Sequence, residues 1–258
     1  MIRKKRMSKG IAKILSGLLI FGMVAGLVPA APGGTVHAKA EGESEQNVTT
    51  AENPEHKHCV CGTEELSVEG HTHDKEQTWK GISNLNDITG EGYYYLTQDV
   101  TINSAWKCSN DVALCLNGHS ITRTAKGYYD QNGNNAVIII QNVDFTLTDC
   151  KGTGTITHQE GVSGEGVYNE GRFFMYNGII SGNNGGVKNP GMFFMYGGTI
   201  TTNNAGSGGG VYVSVNCSFD MYGGTITGNK AEQTYGTEYG GGVYNQGTFN
   251  MYGGEITN

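Results

Sequence analysis

The fold is decided by four copies of one pattern in the second half of the chain: FFMYNGIISGN at 173–183, FFMYGGTITTN at 193–203, FDMYGGTITGN at 219–229 and FNMYGGEITN at 249–258. Phe and Met occupy alternate positions in each copy, which places both side chains on one face of a β-strand. An isoleucine follows five residues after each Met, and a valine lies in the glycine-rich lead before each copy. Three inward positions in every 20–30 residues predict an all-β fold, a right-handed parallel β-helix (β-solenoid) with coils stacked at about 4.8 Å.

Weaker copies extend the repeat toward the N-terminus. The five-residue step recurs from Leu116 to Ile121 and, with an insertion, between the stretches 145–147 and 155–157. A still weaker copy covers residues 95–102, so we expect about seven coils. Further upstream, apolar residues recur at every third position, which predicts a short N-terminal capping helix; these residues are Trp79, Ile82, Leu85 and Ile88.

The repeat also predicts which side chains form ladders. The aligned Phe and Met residues are expected to stack inward in register: Phe173, Phe193, Phe219, Phe249, Met175, Met195, Met221 and Met251. A second, asparagine ladder is expected to point inward and to be interrupted by Val213, with a bulge near Cys217; its members are Asn169, Asn189 and Asn245. A third set is expected at a corner in the αL conformation, which asparagine tolerates: Asn183, Asn203 and Asn229.

The composition agrees with a β-rich chain that turns often. Glycine makes up 42 of the 258 residues, whereas proline makes up only 4. Collagen requires glycine at every third position together with abundant proline, so the composition excludes it. A helical bundle is disfavoured because each glycine inside a helix costs about 1 kcal/mol relative to alanine.

The N-terminus has the three parts of a secretory signal peptide. A lysine- and arginine-rich start is followed by an apolar stretch from Ile14 to Val28, and an Ala-x-Ala site ends at Ala40. The apolar stretch is short for a membrane span, although an uncleaved anchor is the alternative. We therefore predict a signal peptide at 1–40, a disordered acidic linker at 41–55, a His/Cys-rich leader at 56–78 and the β-helix at 79–258.

Removal of the signal peptide makes the chain strongly acidic. Seven of the 17 lysines and arginines lie within residues 1–40, whereas all 24 acids come after residue 40, so the mature chain carries a net charge of −14. Such a surface repels nucleic acid and anionic lipid. We therefore expect no nucleic-acid partner, no membrane-spanning segment in the mature chain, and a secreted location at the extracellular cell surface.

The repeat units resemble the right-handed parallel β-helix repeats of large surface proteins from Gram-positive anaerobes, and they are similar in style to adhesin and pectin-lyase-like solenoids. The resemblance covers about residues 56–258, including the stretches HKHCVCG at 56–62, GYYYLTQDVTI at 92–102 and LCLNGHSI at 114–121. It implies architecture and location rather than an activity, because one fold hosts many functions.

The leader contains a compact group of possible metal ligands. Thiolates and imidazoles are the ligands that structural zinc prefers, and the group comprises His58, Cys59, Cys61, His71 and His73, with His56 beside them. The Cys-x-Cys spacing is tighter than in common zinc motifs, so a strained Cys59–Cys61 disulfide and the absence of any role are alternatives. Downstream, Cys108 and Cys115 are spaced for a local disulfide or for free thiols, whereas Cys150 and Cys217 have no evident partner.

Four aligned tyrosines are expected to form an outward aromatic ladder that either holds sugar rings or stabilises the solenoid by stacking on itself: Tyr176, Tyr196, Tyr222 and Tyr252. Enzymes that act on polysaccharides also use β-helices, and they need paired carboxylates on neighbouring coils. The repeat carries few outward acids on its strands, so no catalytic residues are assigned. Three or more charged side chains converging across adjacent coils would favour the enzyme.

These observations predict a secreted bacterial cell-surface β-solenoid with an adhesive, ligand-presenting or structural stalk role, whose partner is a glycan or a host or cell-surface protein. The alternative is a polysaccharide-active β-helix enzyme, a lyase or a glycoside hydrolase. The chain stops inside a repeat at residues 255–258. We therefore expect a β-helix that is incomplete at its C-terminus and frays or self-associates there.

Overall fold

The computed structural model describes residues 56–60, 76–126, 133–232 and 239–257. Strands dominate this part of the chain, and almost all of them are parallel. The predicted signal peptide and linker, and the leader residues Cys61, His71 and His73, lie outside the described residues. Among the described residues, no helix is long and apolar enough to cross a membrane.

Three long parallel sheets run side by side along the molecule. The first sheet has eight strands, in order Lys80–Ile82, Gly92–Leu96, Val112–Cys115, Asp144–Thr148, Arg172–Met175, Met192–Met195, Ser218–Met221 and Thr248–Met251. The second has seven, in order Val100–Ile102, Ile121–Arg123, Thr155–His158, Ile179–Ser181, Thr199–Thr201, Thr225–Thr227 and Glu255–Thr257. The third has six, in order Trp106–Cys108, Ile138–Ile140, Val167–Asn169, Val187–Asn189, Val211–Val213 and Val243–Asn245. Successive turns of the chain contribute one strand to each sheet, as the repeat predicts.

Two short strand pairs lie outside the three sheets. Lys57–His58 pairs antiparallel with Gln77–Thr78, and Asn204–Ala205 pairs parallel with Lys230–Ala231. The first pair precedes the solenoid in the chain and is the only antiparallel pairing among the described strands.

The interior is built from the predicted phenylalanine and methionine ladders. Four phenylalanines in successive coils are fully buried, and a fifth, Phe249, stacks on the last of them at 4.8 Å between ring centroids; the four are Phe145, Phe173, Phe193 and Phe219. The methionine prediction is confirmed for Met175, Met195 and Met221, which are also fully buried. Met251 keeps the register but is 48% exposed, because it belongs to the strand at the edge of the described sheet.

The corner asparagines form a buried ladder, but not in the predicted conformation. The positive φ falls on the residue before each of them, with φ values of 68° at Gly182, 53° at Thr202 and 60° at Gly228. This arrangement turns the asparagine side chains inward, where they donate to one another and to backbone carbonyls; these residues are Asn183, Asn203 and Asn229. The αL prediction is therefore wrong by one position, and the corner asparagines instead form a continuous inward ladder.

The other asparagine ladder is shorter, as predicted. Asn169 donates to Asn189 at 2.7 Å, and both side chains are fully buried. Val213 occupies the next rung, and Asn245 after it is exposed. The insertion beside this coil forms a turn with φ of 62° at Asn216, outside the strands, where we had predicted a bulge.

The early coils differ from the prediction in register. Leu114, not Leu116, aligns with Leu147 and Met175 along the first sheet. The loop from this strand to Ile121 is therefore two residues longer than the pattern implied. The buried carboxylate of Asp149 organises the neighbouring insertion, since it accepts hydrogen bonds from the backbone of Gly118 at 2.7 Å and Gly154 at 2.6 Å.

The segment predicted as one capping helix contains two elements. Lys80–Ile82 is the first strand of the first sheet, and Leu85–Asp87 is a single 3₁₀ turn capped by Asn84. Ile82 and Leu85 enter the core, whereas Trp79 packs on the outer face of the sheet. The helix prediction from the three-residue spacing is wrong because a strand followed by a tight turn gives the same apolar pattern as one face of a helix.

Candidate metal centre and lateral surfaces

The N-terminal strand pair lies against the outer face of the first sheet. Trp79 fixes it there, because its backbone N–H donates to His56 O and its indole N–H donates to His58 O, both at 3.0 Å. The indole is buried with Val60 and with outward residues of the sheet, Tyr95 and Cys115 among them. This small apolar cluster is separate from the main core.

Four potential metal ligands meet beneath this strand pair. The ligand atoms of His56, His58, Cys115 and Cys150 all lie within 4.8 Å of one another. Cys115 ends a strand of the first sheet and is fully buried, and Cys150 comes two residues after the neighbouring strand ends. The backbone N–H of Cys150 donates to Cys115 Sγ at 3.5 Å, and its own Sγ is 3.7 Å from His56 Nε2.

Both imidazoles are held in fixed orientations. His58 Nδ1 donates to the carbonyl oxygen of Cys59 at 2.6 Å, which leaves a lone pair on Nε2. That Nε2 atom is buried and makes no hydrogen bond of good geometry within the described part of the chain. The ring of His58 stacks on Trp79 at 4.3 Å, and that of His56 stacks on Tyr95 at 4.1 Å. A backbone hydrogen bond on the far nitrogen is the usual device that orients a metal-binding histidine.

The electrostatics of the cluster favour the metal-binding protonation states of Cys150 and His56. The Cys115 thiol donates to the Cys150 sulfur, and this hydrogen bond is the largest of the causes that lower the pKa of Cys150 to about 4. The same hydrogen bond, followed by burial, raises the pKa of Cys115. Burial is the main reason that the pKa of His56 is lowered, so its imidazole is neutral near pH 7. The Cys150 thiolate and the neutral imidazole of His56 therefore lie together before any metal binds.

Of the predicted metal ligands, the structure describes only His58 and Cys59, because Cys61, His71 and His73 lie outside the described residues. His58 is in the cluster, whereas the thiol of Cys59 is not, and the backbone oxygen of Cys59 orients His58 instead. His56 lay beside the predicted set, and Cys115 and Cys150 were not among the predicted candidate ligands. The register of the two early coils could have indicated these cysteines, because the alignment of Leu114 with Leu147 places Cys115 and Cys150 on adjacent coils.

The proposed Cys108–Cys115 disulfide does not form. Cys108 points into the main core, where its thiol donates to Asn110 O at 3.3 Å, and Cys115 points to the outer cluster. Among the described residues, Cys108, Cys115, Cys150 and Cys217 are free thiols. The free-thiol alternative therefore applies to both.

The predicted tyrosine ladder is present on the outer face of the first sheet, beyond the strand pair. Adjacent rings are 4.8–4.9 Å apart between centroids, with interplanar angles of 7–13°, in the order Tyr176, Tyr196, Tyr222, Tyr252. Neighbouring rings cover the faces of the two middle tyrosines, so the exposed part of each of these rings is its edge. Burial is the main reason that the pKa values of Tyr196 and Tyr222 are raised, and their phenols are hydrogen-bond donors at neutral pH.

A second row runs beside the tyrosines. Phe174 stacks on Phe194 at 5.0 Å, and the next two rungs are Asp220 and Asn250, where the amide donates to the carboxylate at 2.7 Å. The two rows together form a strip of ring edges, phenols, one carboxylate and one amide, which we call the aromatic strip. Such a mixture of apolar surface and hydrogen-bonding groups is suited to a ligand that carries hydroxyls on an apolar frame.

A groove of about 610 Å³ follows the turns between the third and first sheets. Charged residues from three successive coils line it, namely Asp111, Asp144, Glu170 and Arg172. Arg172 binds the carboxylate of Asp144 with two nitrogens, and Asp111 accepts the backbone N–H of Asp144 at 2.9 Å. Two of the three carboxylates are therefore engaged in holding adjacent coils together.

Protein-family models, curated proteins and solved structures were compared with the chain, and none of them matches it.

Proposed function

We propose that this protein is a secreted, cell-surface β-solenoid of bacterial origin that presents its side face to a glycan ligand. The observation that carries the proposal is the tyrosine row of the aromatic strip, in which the same side chain repeats along the axis at the spacing of the coils. A chain-like ligand would meet a tyrosine at each step, so weak contacts would add along its length. A host or cell-surface protein is the other class of partner, and the binding test described below includes such proteins.

The finer features of the fold belong to the same proposal. Right-handed winding is supported by the strong preference of parallel strands for right-handed connections. About seven coils agree with the seven strands of the second sheet. The 3₁₀ turn Leu85–Asp87 would act as the N-terminal cap, because Leu85 is buried against the first coil. Structural zinc is the cofactor of the proposal, moved from the predicted leader residues to the four-residue cluster.

The binding test compares variants of one face with a control on another. The purified chain is applied to a glycan array and to immobilised host-surface proteins. Tyr196→Ala and Tyr222→Ala should each weaken glycan binding at least tenfold, because each interrupts the strip. Tyr212→Ala changes a tyrosine of the third sheet and should bind as the wild type does. The strip is rejected as the binding site if Tyr212→Ala weakens glycan binding while Tyr196→Ala leaves it intact. A glycan is rejected as the ligand if the chain binds only to proteins.

A polysaccharide-active enzyme is the second candidate, and the groove favours it. Four charged side chains from adjacent coils converge there, which is the arrangement that the enzyme alternative requires. The engagement of Asp144 with Arg172 argues for a structural role instead. The test is release of reducing or unsaturated sugar ends from acidic and neutral polysaccharides. If the chain releases such sugar ends, and Asp111→Asn and Glu170→Gln abolish this activity, the protein is an enzyme and the binding role is rejected.

A further inference from the structure

We infer that His56, His58, Cys115 and Cys150 together bind one zinc ion, and that this ion is a clasp that holds the N-terminal strand pair on the outer face of the first sheet. The inference rests on the structural zinc of the proposed function and deepens it by assigning the ligands and the role. It does not depend on the aromatic strip or on any glycan.

The donor set and its geometry fit a closed tetrahedral site. Two sulfur and two imidazole donors are a known structural zinc set, in which ligand atoms are separated by about 3.3–3.8 Å. The four atoms here lie within 4.8 Å, and the His56 Nε2 to Cys150 Sγ distance is already 3.7 Å. Contraction by about 1 Å would complete the tetrahedron. Four protein ligands leave no open position, so the role is structural rather than catalytic.

The atoms around the cluster point to an ion rather than to ordinary packing. The buried Nε2 of His58 makes no hydrogen bond of good geometry among the described residues, although His58 interacts with the Cys150 sulfur, while its Nδ1 is tied to a backbone carbonyl. A buried polar atom that is poorly paired is costly, and a metal bond would remove that cost. Stacking on Trp79 and Tyr95 holds both imidazoles in place before the ion arrives.

The clasp role follows from where the ligands come from. Cys115 and Cys150 belong to two adjacent coils. His58 belongs to a strand pair with only two residues in each strand, and His56 immediately precedes that pair. A two-stranded pair of this size is not stable alone in water, so its position depends on what it packs against. Zinc would join it to the solenoid through both cysteines.

The clasp also sets where the aromatic strip begins. The strand pair and Trp79 cover the outward side chains of the first coils, and Tyr176 packs at the margin of this cluster. Loss of the ion would free the strand pair and expose Trp79, which is 3% exposed in the clasped form. The main core lies on the other face of the sheet and would keep its packing.

Metal content tests the ligand assignment. The full chain, purified without chelator and kept reduced, should contain about one zinc per molecule. Replacement by Co²⁺ should give the intense visible absorption of a tetrahedral site with two thiolates. Cys115→Ser and Cys150→Ser should each lose most of the bound metal. Cys59→Ser and Cys217→Ser are the matched controls and should retain it. Absence of stoichiometric zinc, or loss of zinc in Cys59→Ser but not in Cys150→Ser, would overturn the assignment.

Tryptophan fluorescence of a protein that keeps all four ligand residues tests the clasp. In a Trp106→Phe background, Trp79 is the single reporter, because the chain has two tryptophans. Chelation should shift its emission to longer wavelength and leave the β-sheet circular dichroism unchanged, and added zinc should reverse the shift. A shift that fails to appear although zinc leaves, or loss of the whole fold on chelation, would contradict the clasp. Glycan binding measured in the same samples reports on the proposed function separately.

Discussion

The coils before and after residue 165 are held together in different ways. After it, each coil repeats the last: Phe on Phe, Met on Met, Asn on Asn, with strands in register across all three sheets. Before it, the coils carry insertions and depend on single polar contacts that no neighbouring coil repeats. The comparison shows that one solenoid can combine stability from repetition with stability from individually placed groups.

The single contacts of the early coils satisfy buried groups one by one. The guanidinium of Arg123 donates to the carbonyls of Asn134 and Ala136, at 2.8 and 2.6 Å. His158 joins the two regions, since its Nδ1 lies 2.8 Å from the first asparagine of the ladder, Asn183, and its Nε2 lies 3.0 Å from Asn135 O. The strand pair and the His/Cys cluster beneath it belong to this early region.

The largest expected effect is an acid placed in the repeated core. Met221→Asp would bury an unpaired carboxylate where Met221 is fully buried, and it should lower the free energy of unfolding by about 4 kcal/mol or more. Met251→Asp makes the same change at a half-exposed rung and should cost less than about 1 kcal/mol. Denaturant unfolding measures both, and equal losses would show that the ladder is not a packed core.

The next effect concerns the corner asparagine ladder. Asn203 accepts from the backbone and side chain of Asn183 at 3.1 and 3.0 Å and donates to Ile180 O at 2.9 Å. Asn203→Ala leaves these buried groups unsatisfied and should cost about 2–5 kcal/mol. Asn189→Val is the control, because the chain itself places Val213 on the next rung of that ladder. A larger loss in the control would contradict this explanation of the ladder.

Loss of one tyrosine ring should have a smaller effect. Tyr196 stacks on a tyrosine on either side at 4.8 and 4.9 Å, and each such contact contributes about 0.5–1.5 kcal/mol. Tyr196→Ala should therefore lower thermal stability modestly, and Tyr196→Phe should retain it because the stack is intact. If Tyr196→Phe destabilised the protein as much as Tyr196→Ala, the hydroxyl rather than stacking would be responsible.

The smallest effect is a pH dependence at the junction of the two regions. Burial is the main cause that lowers the pKa of His158, and Arg123 acts in the same direction, while hydrogen bonds from the ring to Asn183 and Asn135 oppose both. The unfolded chain then binds a proton more readily than the folded one. Stability should therefore fall as the pH decreases below about 6.5, by about 1.4 kcal/mol for each unit of pKa difference.

The comparison variant for this dependence is His158→Gln. Unfolding curves of both proteins between pH 5 and 8, recorded with chelator so that metal release does not contribute, isolate the histidine. The variant should show a shallower loss toward acid pH. A loss of the same steepness in the variant would assign the effect to another group, such as His56, whose pKa burial also lowers.

The repeated half could be predicted from the sequence because each inference was tested four times within the chain. The positions of Phe173, Met175 and Ile180 recur with fixed spacing, so their inward orientation required no knowledge of the loops. The early half offers single examples. There, Leu116 was aligned where Leu114 belongs, since the length of an insertion cannot be read from one copy.

The metal cluster was only partly predictable for the same reason. His56 and His58 are two residues apart in the chain, and their proximity is evident from the sequence. Cys115 and Cys150 come together only through the register of two coils with insertions between them. Cys59, although it lies in the motif, contributes its backbone rather than its thiol, which depends on the local turn and not on residue type.

Hydrogen exchange with and without chelator tests the division of the molecule most directly. Chelation should speed exchange in residues 56–60 and 76–79 and at the Cys115 and Cys150 segments beneath them. Exchange should be unchanged in the repeated strands from Arg172–Met175 to Thr225–Thr227. Chelation that leaves the N-terminal segment as protected as before, or that releases the repeated coils together with it, would contradict the account.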